Sequence, residues 1–121
     1  MGRYGQGRQG FDYSPSTIRA GVLRSLSRLN TDYLDVVYVH DVEFIATPVT
    51  DGPTGGNHLK ALEDPGSWGL MEEDKAKIRG EGDQQVLDAV AELWKLKEEG
   101  KIKAVGISGA SVAFVTSLLD G

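Results

Sequence analysis

Cysteine is absent from the 121 residues, which excludes disulfide staples, thiolate metal sites and a cysteine nucleophile together. No apolar run approaches the ~18 residues that a membrane span requires. Basic residues are too few for a nucleic-acid face. They number 13 against 18 acidic ones, for a net charge of −5, and they are scattered rather than clustered. The first ten residues are rich in Gly, Arg and Gln with no apolar segment, so they do not read as a signal peptide. These absences lead to the expectation of a soluble, cytoplasmic protein with no membrane or nucleic-acid partner.

What is present is an alternation of helical and strand-like segments. Residues 1–13 read as an irregular, mobile lead-in. Ser14-Pro15 then gives a helix start, with Ser14 at the N-cap and Pro15 at the first helical position, where a missing N–H costs nothing. Ile18, Val22, Leu26 and Leu29 make one buried stripe, Arg19, Arg24 and Arg28 fall off it into solvent, and the helix ends near Asn30. Tyr33 to Val39 is a short β-branched run, suited to a strand covered on both faces, with Asp35 at its exposed first end.

Residues 44–82 hold three of the four prolines and a Gly55-Gly56 pair, and read as an irregular insertion with a short helix over about Glu72–Arg79. A second clear helix is expected from about Gln84 to Glu99. Val86, Leu87, Val90, Leu93 and Trp94 form its apolar face, and Gly100 comes next as a stop. Lys101 to Ser108 is a second strand, and Val112 to Leu119 begins a third helix. Helix–strand alternation of this kind implies parallel strands joined by helical crossovers, an α/β fold.

Three patterns offer chemistry. Gly5, Gly7 and Gly10 match G-x-G-x-x-G, but the FDYSP segment after them cannot be the body of a helix, so a dinucleotide fingerprint is set aside. His40, Asp41, Glu43 and His58 could suggest a metal site, yet their spacing matches no ligand pattern and no metal is expected. His40 alone carries more weight. A lone histidine is more often structural, but this one ends a buried strand, where side chains of parallel α/β folds point into the ligand crevice.

The context of that histidine, SLSRLNTDYLDVVYVHDVEF, together with LWKLKEEGKIKAVGISG from Leu93 to Gly109, resembles the aldo-keto reductase family. GRYG near the start, FDYSPS, HDVEF and GISG are similar to the branch containing fungal D-arabinose and plant L-galactose dehydrogenases. The resemblance covers residues 1–43 and about 83–109. It implies a TIM (β/α)8 barrel, and a reaction that moves hydride between NAD or NADP and a sugar lactol or aldehyde. It also implies an Asp, Tyr, Lys and His tetrad, of which His40 alone maps onto this chain as a catalytic residue. Tyr4, Tyr13, Tyr33 and Tyr38 are not substitutes by position. Ser108 matches the serine that hydrogen-bonds the nicotinamide carboxamide, while Gly109 stands where other branches carry Asn, and Ala110-Ser111 depart from the branch pattern.

A full barrel takes about 250 residues. The expectation is therefore a partial TIM (β/α)8 barrel, a single partial oxidoreductase domain over 1–121, with two parallel strands and their helices. Such a piece should be inactive alone and prone to self-association through its exposed strand edges. The competing readings are a binding fragment that pairs with a full-length barrel and a non-functional remnant.

Overall fold

In the computed structural model, the residues described are 1–47, 58–68, 71–74 and 77–109. The elements in chain order are α1 (Pro15–Leu29), β1 (Leu34–Val39), α2 (His58–Glu63), α3 (Glu81–Glu98) and β2 (Ile102–Ile107), with short 3-10 turns at Arg8–Gly10, Val42–Phe44, Gly66–Trp68 and Glu72–Asp74. β1 and β2 pair in parallel, Leu34 opposite Ile102 and Val39 opposite Ile107. Parallel pairing requires a crossover, and α3 supplies it. The described fold is thus α/β, two successive helix–strand units of the alternation a (β/α) barrel repeats.

Ile18, Val22 and Leu26 of α1 are buried, against Val86, Ala89, Val90, Leu93 and Leu96 of α3 and Val37 and Val39 of β1. Steps of three and four residues keep each helical set on one face. Leu29, expected to end the α1 stripe, is instead 67% exposed, because no described element covers that last turn. The helix stops where Asn30 enters the left-handed region at φ 51°, and the N–H of Thr31 closes back on the Leu26 carbonyl at 3.1 Å. α3 ends the same way: Gly100 sits at φ 77°, a conformation glycine adopts without a steric penalty, and the N–H of Lys101 reaches the Leu96 carbonyl at 2.9 Å.

Several expectations need correction. Ser14 holds the N-cap position but makes no capping bond with its side chain. Asp12 does the work, accepting from the Ser14 N–H at 2.9 Å and from the Thr17 hydroxyl at 2.8 Å. Arg19 is not a free solvated cation. It bonds Glu92 and Glu99, tying α1 to α3 across the helix pair. The sheet is not covered on both faces, since Val36 and Tyr38 are 49% and 52% exposed. Both helices pack on the side of Val37 and Val39, which leaves the alternate residues open.

The lead-in is not loose either. Arg3 and Phe11 form an antiparallel bridge, the Tyr4 N–H reaches the Gly10 carbonyl at 2.7 Å, and the His40 N–H reaches the Met1 carbonyl at 2.9 Å. Glu72–Asp74 is a 3-10 turn and residues 77–79 carry no helix, while α2 occupies a stretch where no helix was expected. The expected helix over Val112–Leu119 lies outside the described residues.

α3 begins three residues before its expected start, at Glu81, and the reason is Asp83. Its carboxylate is buried and accepts the backbone N–H of Thr47 and of Arg79, each at 2.8 Å. One side chain therefore holds together the two ends of the stretch between positions 47 and 79. Gly82 lets this happen, because a Cβ there would lie 2.0 Å from the Ile45 carbonyl oxygen.

Candidate active site

His40 stands just past β1 and Ser108 just past β2. Parallel pairing in register sets both residues at the same end of the sheet, the carboxyl end, where barrel enzymes place their chemistry. His40 Nδ1 lies 2.8 Å from Ser108 Oγ. The backbone locks the two tips together as well. Ser108 donates its N–H to the Val39 carbonyl at 2.9 Å, and Val42 donates to the Ser108 carbonyl at 3.1 Å. The imidazole is about half exposed, at 49% of its side-chain surface, so it faces open space beyond the strand end.

Three residues complete the arrangement in roles that sequence reasoning did not assign them: Asp41, Arg3 and Tyr13. Asp41 turns back at φ 55° and places Oδ2 3.1 Å from His40 Nε2. Its backbone N–H points at Ser108 Oγ at 3.4 Å. Arg3 Nη1 donates to the same Oδ2 at 2.7 Å, and its guanidinium lies over the Phe11 ring. Phe11 in turn stacks on Phe44, with ring centroids 5.5 Å apart. Tyr13, buried at 3% exposure, donates its hydroxyl to the His40 carbonyl. Burial, and then the carboxylates of Asp41 and Glu43, raise the Tyr13 pKa above the usual tyrosine value. The phenol therefore stays a donor over the whole neutral range. A motif such as HD shows that a carboxylate comes after the histidine, but only the left-handed turn at Asp41 shows that it folds back onto the ring.

Of the other candidates, Gly5 and Gly7 lie in a bend that leads into the 3-10 turn ending at Gly10, with no helix opening there. Among the described residues no three His, Cys, Asp or Glu side chains converge as a metal-binding group. No helix among them is long and apolar enough to cross a membrane.

The helix–strand repeat, with a histidine and a serine meeting at the carboxyl tips of neighbouring parallel strands, places the chain among the parallel α/β proteins. This chain belongs to the aldo/keto reductase family, whose model matches residues 3–120. It is similar to the D-arabinose 1-dehydrogenase of Saccharomyces cerevisiae, 33% identical over 114 residues, which cover 94% of this chain and 23% of that protein. It is also similar to the L-galactose dehydrogenase of Arabidopsis thaliana, 30% identical over 119 residues, covering 98% of this chain and 25% of the relative. An NAD(P)H-dependent D-xylose reductase of Kluyveromyces lactis is 32% identical over 111 residues, which are 90% of this chain and 30% of its own length. The chain spans about a quarter of the length of these relatives.

Proposed function

We propose that His40 and Ser108 are the substrate-orienting and cofactor-orienting residues of a nicotinamide-dependent sugar dehydrogenase, working at the mouth of a completed barrel. The observation that carries this reading is the 2.8 Å approach of His40 Nδ1 to Ser108 Oγ at the carboxyl tips of two parallel strands. A nicotinamide ring, when bound, supplies or accepts the hydride. Hydride delivery to a carbonyl leaves an oxyanion that needs a placed proton donor or hydrogen-bond donor. His40, half exposed with its carbonyl held by Tyr13, has the reach to orient such an oxygen. Ser108 fits an amide edge: its hydroxyl stands at a strand tip, and the adjacent Gly109 adds no side chain to compete for space.

The sugar class is inferred from the relatives, two of them named as dehydrogenases of D-arabinose and L-galactose and one as a D-xylose reductase. The Asp, Tyr and Lys that complete the family tetrad have no counterparts in this chain, so the stretch by itself should not turn over. The test is to assay the 121-residue chain with NAD(P)H or NAD(P) and D-arabinose or L-galactose, then repeat with a chimera. In the chimera, this stretch replaces its counterpart in the yeast D-arabinose 1-dehydrogenase. The isolated chain should show no turnover, and the chimera should lose kcat on His40→Ala by about 100-fold or more. Turnover by the chain alone, at even about a thousandth of the yeast enzyme's rate, refutes the idea that it is inactive by itself. An undiminished His40→Ala chimera refutes the role of the histidine.

A further inference from the structure

The open face of the sheet carries a pattern that leads up to the strand tips. Along the end of β1 the buried Val37 and Val39 alternate with Val36, Tyr38 and His40, so the last three share the face that the helices leave uncovered. The parallel register sets Tyr38 beside Gly106, and the next rung on this face holds His40 and Ser108, with Nδ1 and Oγ 2.8 Å apart. Gly106 contributes no side chain to this face, and the Tyr38 ring takes the vacant place. A Cβ on Gly106 would lie 2.5 Å from Tyr38 Cε1 and 2.7 Å from Cδ1. The ring therefore crosses from β1 onto β2, one rung below Ser108.

A glycine inside a strand has the most backbone freedom to lose and no side chain to pack, and a β-branched residue would make a stiffer strand. Here the glycine stands two residues before Ser108, on the arm that carries that hydroxyl. An aromatic ring laid over a strand glycine restores the packing that the glycine gives up, and this ring comes from the strand that ends at His40. We propose that Tyr38 is a positioning residue for the strand-tip pair: by bracing β2 at Gly106 it holds Ser108 within reach of His40, so that the two present a fixed gap to a ligand. The proposal rests on the reading in which those tips form the working mouth of a completed barrel, where this face turns inward. The ring carries the role, and the phenol oxygen is not needed for it.

Two measurements on the yeast chimera test this. The first follows hydrogen exchange at the Ser108 amide, which the Val39 carbonyl protects with a 2.9 Å bond. Tyr38→Ala removes the ring, and Gly106→Ala puts a methyl group where the ring lies. Each should speed that exchange by at least about tenfold at a temperature where melting curves show the chimera folded. Tyr38→Phe, which keeps the ring, should exchange close to the original rate. Unchanged exchange in both alanine variants overturns the bracing, and if Tyr38→Ala does not fold, Gly106→Ala alone decides. The second measurement is a kinetic cycle. Tyr38→Ala should lower kcat by about tenfold or more, but by no more than about twofold when His40 is already Ala, because a residue acting through the pair then has nothing left to act on. Equal losses in the two backgrounds mean that the tyrosine only supports the fold, and they overturn the positioning role. If His40→Ala costs the chimera nothing, the catalytic reading of the mouth falls, and the exchange rates still decide whether Tyr38 braces the strand tip.

Discussion

Tyr13 gives the molecule a pH dependence that is easy to isolate. Its phenol is buried and bonded to the His40 carbonyl, and burial, with the carboxylates of Asp41 and Glu43 behind it, raises its pKa in the folded state. A group whose pKa is higher folded than unfolded contributes stability that is complete below the unfolded value and declines as pH climbs through the folded one. With an unfolded tyrosine near pH 10, denaturant stability should hold to about that pH and fall above it. Tyr13→Phe should flatten the decline and cost about 1 kcal/mol at neutral pH through the lost hydrogen bond, both read from urea melts across the pH range. Little of this was legible beforehand. The sequence marks His40 by its place at a strand end, but a tyrosine two residues before a helix gives no sign that it will support that histidine from beneath. The contact spans 27 positions, and local periodicity carries no information at that range.

Among the elements, helix and strand identities stem from spacing and the exceptions from packing. Ile18, Val22 and Leu26 are buried as their four-residue steps require, whereas Leu29 shares the pattern and lacks a covering neighbour. Leu93→Ala, in the fully buried face of α3, should therefore destabilise by about 2–5 kcal/mol. Leu29→Ala should stay within about 0.5 kcal/mol, and thermal melts separate the two. Arg19 shows the opposite failure of pattern. It lies off the apolar stripe, as the sequence indicates, but Glu92 is buried at 6% exposure and needs the guanidinium. Arg19 also lowers the Glu99 pKa to about 2, first through its own side-chain hydrogen bond and then through that of Lys101. A depressed carboxylate pKa contributes stability above the unfolded value that is lost as pH falls through the folded one. The α1–α3 contact should accordingly weaken between about pH 4.5 and pH 2. Arg19→Ala should lower the melting temperature by several degrees and blunt that acid dependence, while Arg24→Ala should do neither.

At the scale of the whole molecule, two parallel strands with helices on one side leave Val36 and Tyr38 facing outward, and among the described residues they leave open the outer edge of β2 and the part of the β1 edge before Tyr38, where Met1 pairs it. Unpaired edges and apolar side chains invite other chains. The 121-residue chain should elute from a sizing column as more than a monomer, and Val36→Lys should shift it toward the monomer position. A persistent oligomer in that variant would place the association elsewhere. The strand order and the α/β class were readable in advance because alternating segments allow few topologies. The open face was not, since covering depends on strands with which β1 and β2 would share a sheet.

Asp83 gathers the backbone of Thr47 and Arg79 onto one carboxylate, so the two ends of the stretch between them are pinned at a single point of the fold. Lengthening a tether whose ends are already pinned adds only a slowly growing entropic cost. That makes the 47–79 junction the natural place to graft a reporter or an affinity module: cargo of almost any size would hang from the outside while the strand tips bearing His40 and Ser108 keep their alignment.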